Sequence, residues 1–107
     1  MPVIRIDYDD GKVEKKEVAA LSREIQKIVS TATRIKDVFV YANSSQIKIK
    51  VAPIEIFIQM SAHKIKDEDA LVKEIKSKLS NWKKKSSFQH PINLTFIPMQ
   101  WKIEIGI

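Results

Sequence analysis

The sequence feature that most constrains the fold is an internal repetition of strand, helix and strand. In the first half, apolar and polar residues alternate over 4–8, which is the period of a β-strand. A helical period follows from about residue 13 to between 30 and 33, with its apolar residues on one face. A β-branched and aromatic strand is predicted over 37–42, and a turn leads to a second alternating segment over 47–51.

The second half repeats this order. Isoleucines alternate over 54–58, Asp67 is a suitable helix cap, and an amphipathic helix follows. Pro91 then opens a strand, and alternating isoleucines over 103–107 close the chain. Overlaying the halves pairs residues 50 positions apart through the helix and 56 apart beyond it, which places a six-residue difference around 81–86.

The two units predict the fold class. A helix between two strands normally makes those strands parallel, with a right-handed connection. We therefore expect an α+β fold in which two β-α-β pseudo-repeats form a four-stranded mixed sheet with both helices on one face. A chain of 107 residues has room for one such domain over 1–107, with pseudo-repeats of about 2–51 and 52–107.

The other face of this sheet is predicted to be too apolar to stay in water. Strand alternation places five large side chains there, beside Arg5, Asp7 and Gln59. The five are Phe39, Tyr41, Phe57, Ile97 and Met99. A contiguous apolar patch is normally covered by a partner, so we expect an obligate oligomer. The alternative is that the segments over 47–51 and 103–107 cover some of these residues.

Composition excludes several kinds of site and partner. The chain has no cysteine, which excludes disulfides, thiolate metal sites and a cysteine nucleophile. His63 and His90 have no carboxylate or second histidine at ligand spacing, so packing or surface roles are expected and no metal site is predicted. No apolar run approaches the ~18 residues of a membrane span, and the start lacks a signal peptide's apolar core. We therefore expect a cytoplasmic protein with no membrane partner.

The net charge of +6 is spread along the chain, with its densest cluster over 82–85. This cluster follows the second helical stripe, and cations are stabilising at the carboxyl end of a helix. A solvated helix end is the favoured interpretation, and a patch that binds an anionic partner is the alternative.

The start of the chain resembles the tautomerase superfamily. The segment PVIRI over 2–6, followed by DGK over 10–12, a helix and a strand, is similar to the start of 4-oxalocrotonate tautomerase and its relatives. In that superfamily the strand-helix-strand unit occurs once in short chains. It occurs twice in longer ones such as 5-carboxymethyl-2-hydroxymuconate isomerase and macrophage migration inhibitory factor. Members with two units are trimers with their helices outside, so the resemblance implies a homotrimer.

The resemblance also implies that Pro2 is catalytic. In these enzymes the initiator methionine is removed, and the proline nitrogen becomes a secondary amine that acts as general base in keto-enol tautomerisation. A terminal amine has a pKa near 7.7 to 8.0, and apolar surroundings or nearby cations lower it toward the working pH. The implied substrate is a small anionic carbonyl compound, and no metal or organic cofactor is required.

Three further residues are implied in substrate binding. Lys12 stands where the family pattern has an arginine that grips a substrate carboxylate, and lysine supplies charge without the bidentate fork. The second family arginine falls at Phe39, which departs from the pattern. Arg34 or Lys36 could reach the site from the preceding loop, which is the less favoured interpretation. Without a cation on that strand, the pattern favours weak promiscuous activity, or none, over turnover of an extended dicarboxylate.

Two other functions fit the same element order. One is a ferredoxin-like module that binds nucleic acid or a ligand, since that fold also contains two strand-helix-strand units. Nucleic acid is the less favoured partner because residues 38–41 carry aromatics without a Lys/Arg-Gly-Phe-like motif. The other is a homotrimer without catalytic activity.

Overall fold

The chain folds as two strand-helix-strand units in a computed structural model that describes residues 2–100 and 105–107. The elements in chain order are β1 (Val3–Tyr8), α1 (Lys15–Thr33), β2 (Phe39–Asn43), β3 (Ile54–Ser61), a 3-10 turn (Ala62–Lys64), α2 (Glu68–Ser86) and β4 (Asn93–Met99). The repeated order matches the sequence prediction.

The four strands form one mixed sheet in the order β2-β1-β3-β4. The outer pairs, β1 with β2 and β3 with β4, are parallel, and the central pair β1 with β3 is antiparallel. In each unit the helix therefore connects two strands that are direct neighbours. A ferredoxin-like fold has a split unit, in which another strand lies between the parallel pair. The observed order is not that of a ferredoxin-like module.

The core lies between one face of the sheet and the two helices. Alternate residues of β1 and β3, among them Ile4, Ile6 and Ile56, are fully buried on this face. The helices cover them with the apolar residues of the predicted stripes, including Leu21, Ile25 and Ile75. Both helices lie on the same side of the sheet, as predicted.

Each helix begins at a side chain that accepts a backbone N–H. Glu17 Oε1 accepts from the Glu14 amide at 3.0 Å, and Asp67 Oδ1 accepts from the Ala70 amide at 3.1 Å, which confirms the predicted cap. Both helices end at a residue in the left-handed region, Arg34 with φ 60° and Ser87 with φ 56°. Glycine usually occupies such a position because it has no Cβ to clash.

Two predicted strands differ from the structure. Residues 44–53 form no strand, and Ile47 and Ile49 are 84% and 98% exposed. Alternation fixes the side on which each residue lies, but a strand also needs a partner edge, and this segment has none within the described chain. In the last segment, Ile103 lies outside the described residues, and Ile105 and Ile107 are exposed and outside any strand.

The residue pairing of the two helices agrees with their buried residues. Ile25 and Val29 of α1 are buried, and so are Ile75 and Leu79 of α2, which lie 50 positions later. The bounds of α2 lie 53 positions after those of α1, so the two helices begin and end at different points of the overlay. The segment 81–86, where a six-residue difference was expected, is continuous helix.

Charged side chains hold the turn after β1. Asp9 Oδ1 accepts a hydrogen bond from the Gly11 amide at 3.0 Å. Lys48, from the connection between β2 and β3, forms ion pairs with Asp9 and Asp10. The Gly11 amide, and secondly Lys48, lower the pKa of Asp9, and the Lys48 hydrogen bond lowers the pKa of Asp10. The exposed segment over 44–53 is therefore tied to the turn at its middle.

No helix in the described part of the chain is long and apolar enough to cross a membrane.

We expect Ile56→Ala to lower the free energy of unfolding by about 2–5 kcal/mol, because it leaves a cavity between β3 and the helices. Urea unfolding followed by circular dichroism measures the change. Lys73→Ala, at an exposed position of α2, is the control and should change the free energy by less than about 0.5 kcal/mol. Equal effects of the two substitutions would show that β3 does not form the core.

We expect Lys48→Met to destabilise the protein more at neutral pH than in acid. The pKa values of Asp9 and Asp10 lie below the ordinary value of 3.8 in the folded state. Their stabilising contribution is therefore complete above that value and is lost as the pH falls through the folded pKa values. Urea unfolding at about pH 7 and about pH 2 tests this, with exposed Lys50→Met as the control. An effect of Lys48→Met that does not depend on pH would contradict the ion pairs.

Candidate active site

Pro2 lies at the start of the central strand β1, and its side chain is less than 2% exposed. Its carbonyl oxygen accepts a hydrogen bond from the Phe39 amide at 3.2 Å. Val3 pairs with Phe39 on one side and with Gln59 on the other. Pro2 therefore sits between the beginning of β2 and the end of β3, and its position is fixed on both sides.

Phe39 is the predicted site residue that the structure places beside Pro2. Their backbones are joined by the hydrogen bond above, and the register puts Phe39 on the same sheet face as Val3 and Arg5. This is the face away from the helices, where the Phe39 side chain is 43% exposed. Phe39 is therefore joined to Pro2 through its backbone, while its exposed ring can contact a partner.

Lys12 is not brought to Pro2 within one chain. It is exposed in the turn that follows β1, and its amide donates to the Asp9 carbonyl oxygen at 3.0 Å. Pro2 lies before the other end of this six-residue strand, and a strand of that length extends about 20 Å. Lys12 can meet a Pro2 only if the two come from different copies of the chain.

Arg34 lies at the same end of the sheet as Pro2, because α1 runs back along β1 and ends there. Three hydrogen bonds fix the loop that follows Arg34. Ser30 Oγ donates to the Ile35 carbonyl at 2.8 Å, Gln26 Nε2 to the Val38 carbonyl at 2.9 Å, and the Ile35 amide to Thr33 Oγ1 at 3.3 Å. The loop is therefore held against the last turns of α1.

A groove of about 410 Å³ opens between the end of α1 and the start of α2. Its polar lining includes the cations Arg34, Lys64 and Lys66 and the carboxylates Asp67 and Glu74. The sequence prediction missed Lys64 and Lys66. Their position after β3 could have indicated this placement. Strand β3 is antiparallel to β1, so it ends at the end of the sheet where β1 begins.

The sheet face away from the helices carries the residues that the alternation predicted. Cross-strand rows join Tyr41, Arg5 and Phe57, and join Gln59 to Ile97. Tyr41 is 57% exposed. The Arg5 guanidinium lies 4.6 Å from the centre of the Phe57 ring, and its Nε lies 3.3 Å from Asp7 Oδ2. This face is therefore a mixed surface, on which aromatic and aliphatic side chains lie beside charged and polar ones such as Glu55 and Thr95.

The histidines do not form a metal centre. His90 Nε2 lies 3.0 Å from Glu17 Oε2, and its ring packs edge-on against Phe88 at 5.3 Å between centroids. The Glu14 amide, and secondly His90, lower the pKa of Glu17. His63 is exposed in the 3-10 turn. Within residues 2–100 and 105–107, no three histidines, aspartates or glutamates come together as metal ligands would.

The basic cluster over 82–85, which was expected just after the second helix, lies within the last turns of α2. Trp82 packs against Phe88 with 5.1 Å between ring centroids, and Lys83 Nζ donates to the His90 carbonyl at 2.6 Å. Lys84 and Lys85 are exposed at the helix end. Two of the four residues therefore serve packing of the chain that follows.

Comparison with known proteins identifies the fold through structure alone. No family model and no curated protein matches the sequence. The structure of 5-carboxymethyl-2-hydroxymuconate delta-isomerase matches with a TM-score of 0.64 and 12% identity, over 99% of this chain and 89% of that chain. The F6 fused 4-OT wild-type asymmetric trimer matches with a TM-score of 0.67 and 14% identity, over 94% of this chain and 91% of that chain.

A domain of unknown function (DUF1904) from Sebaldella termitidis matches with a TM-score of 0.67 and 16% identity, over 100% of this chain and 98% of that chain. The shared architecture is the doubled strand-helix-strand unit with its mixed four-stranded sheet. The protein therefore has the fold of the tautomerase superfamily.

Proposed function

We propose that this protein is a tautomerase in which the nitrogen of Pro2 acts as general base on a small anionic carbonyl compound. The observation that supports this best is the position of Pro2. It is buried at the start of the central strand, and its backbone is fixed by Phe39. The groove at the same end of the sheet is lined by three cations, Arg34, Lys64 and Lys66.

The chemistry requires removal of Met1, because an acylated proline nitrogen is an amide and does not take a proton at neutral pH. The free secondary amine starts near pKa 7.7 to 8.0. The general base must be the neutral form of this amine, and Pro2 is buried, which disfavours a charged amine. The neutral amine takes a proton from the carbon beside a substrate carbonyl, which leaves an enolate. The prolinium then returns the proton to a different atom, so the enzyme ends unchanged.

We further propose that the protein works as a homotrimer whose subunits cover the face that carries Tyr41 and Phe57. Phe39 and Tyr41 on this face are 43% and 57% exposed, and exposed apolar side chains that lie together are typical of a surface that binds a partner. One of the structures with this fold is described as a trimer. In such an assembly Lys12 of a neighbouring copy is available to a substrate bound at Pro2.

A homotrimer without catalytic activity is the second candidate. It is favoured by Phe39, which stands where the family pattern has its second arginine. The two candidates share their assembly and differ only in whether the Pro2 nitrogen moves protons. Measurement of proton exchange at a carbonyl compound separates them.

We expect the protein, with Met1 removed, to exchange the C3 protons of 2-oxopentanoate with deuterium oxide, as followed by proton NMR. Pro2→Ala should lower the exchange rate by about 10²- to 10⁴-fold, since a positioned general base contributes about that much. Intact-mass analysis establishes that Met1 is absent from both proteins. Lys73→Met, a substitution at an exposed position of α2, is the control and should leave the exchange rate unchanged. An unchanged rate in Pro2→Ala would favour the non-catalytic homotrimer.

We expect analytical ultracentrifugation of the protein to give the mass of three chains of 12.3 kDa each. Phe57→Asp should give a smaller species with retained helical circular dichroism, because burying an unpaired carboxylate in an apolar interface is strongly unfavourable. Ser77→Asp, which adds the same charge at an exposed position of α2, should leave the mass unchanged. An unchanged mass for Phe57→Asp would show that this face is not the interface.

A further inference from the structure

We infer that a groove between the solvent-facing sides of the two helices is a binding site for a planar aromatic anion. The groove has a volume of about 450 Å³, and its lining residues all belong to α1 and α2. It lies on the helix side of the sheet, away from the face proposed to bind subunits, and Pro2 is not part of its lining. The inference therefore depends neither on the proposed tautomerase activity nor on the proposed trimer.

The groove is formed by matching rows of side chains on the two helices. Each helix contributes residues at i, i+3, i+4 and i+7, which share one helical face over two turns. The residues are Glu24, Lys27, Ile28 and Thr31 from α1 and Lys78, Asn81, Trp82 and Lys85 from α2. A step of seven residues rises about 10 Å along a helix, so the groove is long enough for a small aromatic ring system with one substituent.

The floor of the groove is apolar. Ile28 is a buried member of the core, and Trp82 is half-buried and packs against the same core. The Trp82 ring is supported by Phe88, from the chain that follows α2, with 5.1 Å between the ring centroids. Trp82 also lines the groove, so part of its indole is open to a ligand. An aromatic ligand gains more on this floor than a bare anion does, because ring contacts add to the burial of apolar surface.

The rim of the groove is cationic. Three lysines line it against a single carboxylate, and these are Lys27, Lys78, Lys85 and Glu24. Lys78 is already paired with Glu74, at 3.0 Å between Nζ and Oε2. Within the described part of the chain, Lys27 and Lys85 form no ion pair. Two cations, one from each helix, are therefore available to an anionic group on the ligand.

Helix stability does not account for the whole arrangement. Residues 76–85 contain five lysines and no acidic residue, and cations near the carboxyl end of α2 are stabilising without any ligand. That effect does not extend to Lys27, which lies more than one turn before the end of α1. It also does not explain a partly exposed indole beside these lysines. A ligand that is both aromatic and negatively charged uses the floor and the rim together.

Binding is tested by proton–nitrogen NMR titration with 2-naphthoate, which joins a flat ring system to one carboxylate and has no ketone to tautomerise. We expect shifts of the Trp82 indole Nε1–H and of the Lys27 and Asn81 amides. Naphthalene-2-carboxamide has the same rings without the charge, and acetate has the charge without the rings, so both should bind more weakly. Equal affinity for either compound, or no shift at these residues with millimolar 2-naphthoate, would overturn the inference.

A series of charge variants should give effects of opposite sign. Lys27→Met and Lys85→Met should each raise the dissociation constant of 2-naphthoate about two- to fivefold, as expected for an ion pair at an exposed site. Glu24→Gln removes the opposing carboxylate and should lower the dissociation constant. Lys73→Met, at an exposed position of α2 outside the groove, is the matched control and should leave it unchanged. Equal effects of Lys27→Met and Lys73→Met would show that net charge, rather than the groove, determines binding, and would overturn the site.

Trp82→Leu tests the floor of the groove. It should raise the dissociation constant of 2-naphthoate about five- to tenfold through loss of the ring contact. Thermal unfolding establishes whether this variant is folded, and the lysine variants test the site independently of it. Titration of Pro2→Ala separates the inference from the proposed function. We expect unchanged affinity for 2-naphthoate in Pro2→Ala, whereas loss of binding there would place the probe at Pro2 and overturn the inference.

Discussion

The antiparallel pairing of β1 with β3 is the interaction on which the rest of the structure depends. It places Ile4 opposite Ile58 and Ile6 opposite Ile56, so that four fully buried side chains form the centre of the core. Because the two central strands run in opposite directions, the start of β1 meets the end of β3. Pro2, the end of α1 and the start of α2 consequently share one edge of the molecule, and the turn with Lys12 lies at the other.

Much of this architecture could be predicted from the sequence, because burial on one side of an element imposes a period on its apolar residues. That period is clear in β1, α1 and β3, which pack one face against a common core. It was misleading over 47–51, where Ile47 and Ile49 alternate without a partner strand and remain exposed. Alternation records which side a residue faces, whereas pairing depends on edges contributed by distant parts of the chain or by another chain.

The candidate site was less predictable than the fold. Pro2 was predicted as general base because residues 2–12 resemble the start of tautomerase sequences. The structure buries Pro2 but does not itself test this role. Lys12 is ten positions away in sequence but about 20 Å away along an extended strand. Lys64 and Lys66 have no periodic signal because they lie around a 3-10 turn and a loop. Only the antiparallel direction of β3 brings them to the edge where Pro2 lies.

The location of the cations also agrees with the demands of assembly. Phe39 lies on the sheet face that is proposed to become dry in a trimer, and an unpaired arginine there would lose its hydration on association. Arg5 is tolerated on the same face because Asp7 pairs with its guanidinium, which also stacks on Phe57. Placing Arg34 and Lys64 in loops keeps their charge in an open groove on the helix side. The surface proposed to bind subunits and the cationic groove thus lie on opposite faces of the sheet, and the groove lies at the end where β1 begins.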